Sequence, residues 1–349
     1  MQLAFLLYVP RSGSTFLART ISESMLDVIV LPEFRFPEWL LSQNDRKVRA
    51  MSPSELFSLL QLDHQRSNLG LTDGEYRDIC DRVAGENKKS MLEAIATAYA
   101  AKHVQRTDLR WAIIKLGALI DLLPSIAKEF PGAEFIHVTR DPRAVVNSQI
   151  STTRPYFPSE KMGRGDPWHG AKSWRDYQRK IVEARAHGIR IIDIKYERLI
   201  VDPAKELAPL CKQLNVHWTE DGMPTGLPLK IRGPEQAIHK KVFEQPDATR
   251  NTAFIKELAF ADGVVIEFVL GATLSEAGYQ SEFVSKCSAW RIAALIIPYA
   301  YLRHWHKCAI YYFRRVGYYA LEPKRLIGRI NILLKRRRES WRRSIGEEQ

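Results

Sequence analysis

The chain has 349 residues and a formal net charge of +12, with 45% hydrophobic and 26% charged residues. This length and composition exclude a disulfide-stapled mini-protein, a collagen-like repeat and wholesale disorder, and they predict one large α/β domain or two modest ones. The four cysteines are widely spaced and form no C-x-x-C pair, which argues against a zinc ribbon or a disulfide framework and favours a reducing compartment.

Short apolar runs alternate with helix-period segments along the chain, a pattern typical of a parallel sheet covered on both faces. The first run, residues 3–9, is too short to span a bilayer and has no basic start, so it predicts a buried strand and not a signal peptide. More polar, irregular stretches at 40–110 and 152–170 predict insertions near the mouth of a site. The other predicted elements are strands at 28–31, 111–115, 134–139 and 189–195 and helices at 15–25 and 119–130.

The segment after the first strand predicts an anion site. Pro10-Arg11-Ser12-Gly13-Ser14-Thr15 is a turn of small residues that leads into a helix near Phe16. Backbone N–H groups converge at such a turn and the helix dipole favours negative charge, so a phosphate would bind there. The turn has one Gly and no following Lys, unlike the nucleotide loop that binds a γ-phosphate and Mg²⁺. An ordinary capped helix is the alternative.

A second anion-directed corner follows the strand at 134–139. Asp141 is a good N-cap and Pro142 a good first helical residue, so Arg140 is placed at the carboxyl edge of the sheet, where ligands of open α/β folds bind. Ser148 lies about two helical turns further on and can face the same group. The alternative is again a capped helix with a surface Arg.

These two motifs, in this order and separation, resemble the sulfotransferase superfamily that uses 3′-phosphoadenosine 5′-phosphosulfate, PAPS, and within it the carbohydrate-type and bacterial branch. The resemblance extends to the approach Phe130-Pro131-Gly132, to Lys195-Tyr196-Glu197-Arg198-Leu199 with Asp202-Pro203, to His239-Lys240-Lys241 and to Ala277-Gly278-Tyr279. It covers about residues 3–280. It implies an α/β fold with a P-loop-like parallel sheet flanked by helices, and a sulfotransferase domain over residues 1–280.

The resemblance also implies roles for individual residues. Arg11, Ser12, Gly13, Ser14, Thr15 and Phe16 would bind the 5′-phosphosulfate, and Arg140 and Ser148 the 3′-phosphate that distinguishes PAPS from ATP. Arg250 is a further candidate for cofactor binding. Glu33, soon after the second strand, would be the general base, and Arg11 and Lys115 would act near the transferring group. No metal is expected, because the His residues show no metal-binding spacing.

The implied reaction is transfer of a sulfuryl group from PAPS to a hydroxyl, less favourably an amine, of a saccharide or a lipid-linked glycan. A small-molecule P-loop kinase and a non-catalytic membrane adaptor are the alternatives. The missing loop Lys argues against a kinase, and the retained Glu33, Arg11 and Arg140 argue against an adaptor. The location implied is the cytoplasm, with peripheral binding at the inner face of the plasma membrane.

Most of the positive charge lies in the tail. Residues 281–349 contain 15 Lys and Arg against 5 Asp and Glu, a net +10. The stretch 289–302 is apolar but too short to span a bilayer and is interrupted by Pro298. Aliphatic and aromatic residues mixed with Lys and Arg predict a basic helical tail, either lying on an anionic membrane or packed on the domain. Nucleic acid is a less favoured partner for this tail, because aliphatic residues do not contribute to binding phosphates.

Overall fold

The computed structural model describes residues 1–104, 109–219 and 247–321. Its centre is a five-stranded, all-parallel sheet formed, in spatial order, by residues 28–31, 111–115, 2–8, 134–139 and 192–195, and a separate antiparallel hairpin is formed by residues 153–154 and 157–161. The predicted α/β class with a helix-flanked parallel sheet is confirmed. The strands are β1 (Gln2–Tyr8), β2 (Val28–Leu31), β3 (Trp111–Lys115), β4 (Glu134–Thr139), β5 (Thr153–Arg154), β6 (Phe157–Lys161) and β7 (Ile192–Lys195).

Strand β1 has an unbroken apolar sequence because both faces of the sheet are covered by helices. Leu3, Phe5 and Leu7 belong to one hydrophobic cluster, whereas Ala4 and Leu6 belong to the other. The central position of β1 also places the turn that follows it at the middle of the carboxyl edge of the sheet. Ligands of open α/β sheets bind at that edge.

Sixteen α-helices surround the sheet in the described residues. The first half of the chain contains α1 (Ser14–Ser24), α2 (Phe36–Ser42), α3 (Asp45–Arg49), α4 (Pro53–Gln61), α5 (Asp73–Val83), α6 (Lys88–His103), α7 (Leu123–Glu129) and α8 (Pro142–Ser151). The second half contains α9 (Pro167–Ala186), α10 (Tyr196–Leu199), α11 (Pro203–Leu214), α12 (Phe254–Glu257), α13 (Phe260–Leu270), α14 (Ala272–Glu276), α15 (Ala289–Arg291) and α16 (Ile297–Leu321).

The prediction of an irregular segment over 40–110 is wrong for most of its described part, which is helical. Ser52 with Glu55, and Thr72 with Glu75, form reciprocal capping boxes that start α4 and α5. Periodic Leu, Ile and Tyr residues of these helices then pack into the core. A prediction from polar composition does not recognise such helices, because the many charged residues on their outer faces obscure the helical spacing of the apolar residues.

The predicted helix at 119–130 is also divided. Gly117–Leu122 is a 3₁₀ helix, and α7 starts only at Leu123 because Pro124 stands in its first turn. Gly117 lies directly against β1, where an added Cβ would be 2.2 Å from the Tyr8 carbonyl oxygen. This close approach brings the end of β3 next to the end of β1.

Residues after the predicted boundary at 280 are tied to the domain. Glu267 of α13 accepts hydrogen bonds from the backbone N–H groups of Glu282, Phe283 and Val284 at 2.8–3.0 Å. The π-helical turn Ile292–Ile296 leads into α16, which packs against α9. Of the helices in the described ranges, none combines the length and apolar content needed to cross a membrane.

Candidate active site

The turn between β1 and α1 has the strained geometry of an anion cradle. Arg11 and Gly13 both have positive φ, 78° and 88°. A non-glycine residue at positive φ costs energy, and such strain is concentrated at functional sites. The Ser12 hydroxyl donates to the Val9 carbonyl at 2.7 Å and fixes the turn. The first N–H groups of α1, those of Ser14 and Thr15 among them, have no acceptor within the helix. They are therefore available to bind an anion.

The two predicted anion motifs meet in space. The Arg11 Nε donates to the Ser148 Oγ at 2.9 Å, so the first turn contacts α8 across 137 residues of sequence. The guanidinium carbon of Arg140 lies 4.4 Å from the ring centre of Tyr196, and Phe16 contacts the same ring edge-on at 6.2 Å. Tyr196 therefore joins both motifs, and the sequence reasoning did not single it out as a site residue.

Two cations, Arg11 and Arg140, lie close enough at this corner to repel each other. Burial and the nearby charge of Arg140 lower the pKa of the Arg11 guanidinium, although Tyr196 acts in the opposite direction. The Nε of Arg140 is buried and has no hydrogen-bond partner in the part of the chain that the structure describes. Since a buried N–H normally finds an acceptor, a bound phosphate would satisfy both this donor and the repulsion between the two Arg residues.

The neighbouring Arg143 has a different role from Arg140. Its guanidinium turns into the protein, where it bonds Asp141 and Glu267 at 2.6–3.0 Å. Asp141 caps α8 as predicted, accepting from the Arg143 backbone N–H at 2.9 Å. Its own N–H donates to Glu197 at 2.7 Å, so the Lys195–Leu199 element holds the second motif in place.

Glu33 and Lys115 lie together at the carboxyl edge of the sheet. The Lys115 Nζ is 3.6 Å from a carboxylate oxygen of Glu33, and the Tyr8 hydroxyl donates to the same oxygen. Lys115 is almost fully buried, whereas the Glu33 carboxylate is 29% exposed, and the Asn68 side chain holds the Glu33 carbonyl at 2.8 Å. Parallel strands end at the same edge, which explains why residues 82 positions apart share one ion pair. Tyr8 was not among the predicted site residues.

A cavity of about 620 Å³ is lined by residues of the cradle and of the Glu33–Lys115 cluster, whereas Arg140 and Ser148 are not among its lining residues. The cradle end is lined by Arg11, Ser14 and Thr15, and the floor by Tyr8, Glu33 and Lys115. The opposite end is formed by the hairpin and by α9, with Arg154, Tyr156, Phe157, His169 and Tyr177. The predicted insertion at 152–170 therefore contributes a wall of the cavity. Its size is within the range of small-molecule and cofactor sites.

Other predicted positions lie further from this cavity. Arg250 is half-exposed and pairs with Glu257 at 3.4 Å, and Glu257 also accepts a hydrogen bond from Asn147, the neighbour of Ser148. His239-Lys240-Lys241 lies outside the described residues. In the ranges that the structure describes, no three His, Cys, Asp or Glu side chains are grouped so that they could hold a metal ion.

We expect Gly13→Ala to destabilise the cradle. The left-handed backbone costs an L-residue about 1–2 kcal/mol, and the new Cβ would lie 2.1 Å from the Tyr196 Cδ2, so the ring must leave Arg140. The melting temperature and the affinity for adenosine 3′,5′-bisphosphate should both fall. Gly132→Ala is the matched control, because its Cβ would meet no heavy atom within 4 Å. Equal affinity for Gly13→Ala and the wild type would contradict the role of this corner.

Two solved structures are similar to this chain in fold. A solved sulfotransferase domain from the Synechococcus PCC 7002 olefin synthase is similar over 80% of this chain and 95% of that domain, with a TM-score of 0.50 and 21% identity, which supports the fold. A sulfotransferase domain of the curacin biosynthetic pathway covers 80% of this chain and 99% of its own length, at TM-score 0.48 and 17% identity.

A sequence relative and a family model complete the comparison. A Caenorhabditis elegans protein named as a candidate protein-tyrosine sulfotransferase is 29% identical over 101 residues, which is 28% of this chain and only 37% of the length of that relative. The model of the sulfotransferase family matches residues 4–220, a region that contains the cradle, Glu33, Lys115, Arg140 and Ser148. The match favours sulfuryl transfer over the kinase interpretation. The chain belongs to the sulfotransferase family.

Proposed function

We propose that this chain transfers a sulfuryl group from PAPS to a hydroxyl of an acceptor, with a saccharide or lipid-linked glycan as the acceptor class and an amine as the less favoured nucleophile. The observation that carries the proposal is the convergence of Arg11, Arg140 and Ser148 at one corner of the sheet edge with the Glu33–Tyr8–Lys115 cluster beside it. One set of groups suits two phosphates, and the other suits proton removal.

The residues present fit the two anionic ends of PAPS. The turn from Arg11 to Phe16 would hold the 5′-phosphosulfate, through backbone N–H groups and the Arg11 guanidinium. Arg140 and Ser148 would hold the 3′-phosphate, and the orphan Arg140 Nε supports this. Arg250 would contribute weakly from outside the cavity, through its position near Asn147. When bound, PAPS supplies an activated sulfuryl group.

The chemical roles follow from charge and position. Glu33 would accept the proton of the acceptor hydroxyl as that oxygen bonds to sulfur, while the bond between sulfur and the 5′-phosphate oxygen breaks and adenosine 3′,5′-bisphosphate leaves. The Tyr8 hydroxyl and the Lys115 ammonium hold the Glu33 carboxylate in one orientation, which keeps the base aimed into the cavity. Lys115 and Arg11 also place positive charge where negative charge develops during transfer. As in phosphoryl transfer, positioning and electrostatics provide most of the rate enhancement.

The far end of the cavity supports a sugar-like acceptor. The Tyr156 ring contacts the His64 ring edge-on, with the ring centres 4.8 Å apart. The Tyr156 hydroxyl donates to the Asn68 Oδ1 at 3.0 Å. Aromatic faces next to polar side chains such as Gln149 and Asp176 suit a ring that carries many hydroxyl groups. The proposal includes the cytoplasmic location, in line with the four cysteines, all of which are free thiols.

Arg140→Ala should weaken the binding of adenosine 3′,5′-bisphosphate by about 1.5–3 kcal/mol, because a charge-assisted hydrogen bond to the 3′-phosphate is lost. Adenosine 5′-phosphosulfate, which has no 3′-phosphate, should be affected much less. Titration calorimetry with both ligands makes the comparison. The exposed Arg190 is the matched control, and Arg190→Ala should leave both affinities unchanged. Equal losses for both ligands in Arg140→Ala would remove the 3′-phosphate assignment.

The acceptor is tested by product identification. The full chain is incubated with radiolabelled PAPS and, separately, with a panel of free saccharides, a membrane glycolipid extract and a tyrosine-containing peptide. Label on saccharide or glycolipid supports the proposal. Label on the peptide alone would overturn the acceptor class while leaving sulfuryl transfer intact.

A further inference from the structure

Helix α16 exposes large apolar side chains over most of its length. Leu302 is 69% exposed and Phe313 is 84% exposed. Together with four more exposed residues they form what we call the outer face, which consists of Leu295 in the π-helical turn before α16 and of Tyr299, Leu302, Trp305, Phe313 and Val316 in α16. Large apolar side chains are normally scattered singly over a surface, so several of them on one side of a helix indicate an interaction site.

The spacing of the outer face matches the helical period. Within α16, positions 299, 302, 313 and 316 follow one another at intervals of three or eleven residues and so share one side of the helix, with 305 at its margin. The opposite side packs on the domain, where Ala300 and Cys308 are buried and His304 bonds Asp166 at 2.5 Å. The outer face is therefore fixed in direction by the packed side, and it extends about 30 Å along the helix axis.

The charge of this region decides between its possible occupants. Residues 283–321 contain six Lys and Arg and no Asp or Glu. Three of these cations, Lys286, Arg303 and Arg315, pair with carboxylates of the domain, so most of the excess positive charge comes from residues 322–349, with nine Lys and Arg against four Glu. A second copy of the chain would bring two strongly positive regions together, which is unfavourable. Trp, Tyr, Phe and Leu beside Lys and Arg suit an anionic lipid surface, where apolar side chains enter the headgroup boundary and cations meet lipid phosphates.

We propose that the outer face of α16 docks on an anionic membrane surface, with the helix parallel to the bilayer. This goes beyond the proposed reaction and does not depend on it. The same helix contacts the cavity wall from behind: Arg314 donates to the Ser159 carbonyl at 3.0 Å, and the Arg315 guanidinium carbon lies 4.4 Å from the ring centre of Phe157. Phe157 lines the cavity, so lipid docking also braces the acceptor end of the site.

Co-sedimentation with vesicles tests the docking. The full chain should bind vesicles of equimolar phosphatidylcholine and phosphatidylglycerol, bind pure phosphatidylcholine vesicles more weakly, and lose affinity as salt is raised. The double variant Leu302→Glu, Phe313→Glu should bind the anionic vesicles about 100-fold more weakly, because two apolar contacts are lost and two negative charges are added. The matched control is Val182→Glu with Val201→Glu, which adds the same charge at exposed sites elsewhere and should bind like the wild type.

Three results would overturn the proposal. The first is a wild-type chain that ignores anionic vesicles, and the second is a double variant that binds them as well as the control does. The third is a wild-type dimer by light scattering that becomes monomeric in the double variant, since the outer face would then be covered by a second copy. Melting temperatures verify that each variant is folded, and Trp305→Ser provides a milder second variant with the same expected direction.

Hydrogen–deuterium exchange tests the bracing of the cavity wall. Anionic vesicles should slow exchange in α16 and in the hairpin at residues 153–161, while the capped helix α5, which belongs to a separate part of the domain, should be unchanged. Protection of α16 without any change at 153–161 would disprove the bracing. None of these readouts uses sulfuryl transfer, so a failure here is distinguishable from a failure of the proposed function.

Discussion

Replacing Glu33 by Gln should lower turnover about 10²- to 10⁴-fold, because the variant keeps the shape of the side chain but cannot accept the acceptor proton. The affinity for adenosine 3′,5′-bisphosphate should hardly change, since the carboxylate lies in the Tyr8–Lys115 cluster and not among the Arg residues. Steady-state kinetics with radiolabelled PAPS measure the first quantity, and calorimetry measures the second.

The matched control for Glu33→Gln is Glu38→Gln, a second carboxylate that lines the cavity nearby. Glu38 is fully buried and paired with Arg35, so it cannot serve as the base, although its loss should lower the melting temperature. Tyr8→Phe removes the hydroxyl that orients the Glu33 carboxylate but leaves the carboxylate itself. It should therefore reduce kcat moderately, with Glu33 still acting as the base. A Glu33→Gln variant that keeps most of the wild-type turnover would remove Glu33 from the mechanism.

Glu267→Ala should lower the free energy of unfolding by about 3–5 kcal/mol, the cost typical of breaking a buried ion pair from one side. Residue Glu267 is 4% exposed, and its carboxylate accepts from Arg143 at 2.6 Å, from the Ser281 hydroxyl at 2.7 Å and from three backbone N–H groups. Its removal takes one carboxylate partner from the buried Arg143 guanidinium, which keeps Asp141 and the Gln280 carbonyl, and it leaves the three backbone N–H groups without this acceptor. Urea titration measures the loss, and Glu276→Ala, on the exposed side of α14, is the matched control.

The same carboxylate should make stability depend on pH. Burial acts to raise the pKa of Glu267, but the hydrogen bonds from Glu282, Val284, Ser281 and Arg143 outweigh it, so the pKa is lowered. A lowered folded-state pKa means that the stabilisation is complete above the unfolded value of about 4.3 and is lost as the pH falls through the folded value. Glu267→Gln should flatten this part of the stability profile. An unchanged acid profile would show that folding does not lower the pKa of Glu267.

The sequence alone identified the elements that depend on local order. Strand β1, the small-residue turn after it and the Asp141-Pro142 start of α8 follow from backbone rules that act over a few residues. The family resemblance then assigned phosphate binding to these segments, and the family match supports sulfuryl transfer in general. The helices within 40–104 were missed because charged outer faces hid their period, although both capping boxes were present in the sequence.

Only the tertiary structure brought distant groups together. The Tyr8 hydroxyl contacts Glu33, and Arg11 contacts Ser148. The Tyr196 ring lies between Gly13 and Arg140. No local rule predicts these contacts, since they result from the strand order of the sheet.

The tail shows the same division. Its charge and its aromatic residues were evident from composition, whereas the side of α16 that packs on α9 and the side that stays exposed were not. A helical period defines which residues share a face, but the partner that covers a face is set by the rest of the fold. The sequence therefore determined which charged and aromatic residues the tail contains, and the packing of the fold decided which of them are exposed.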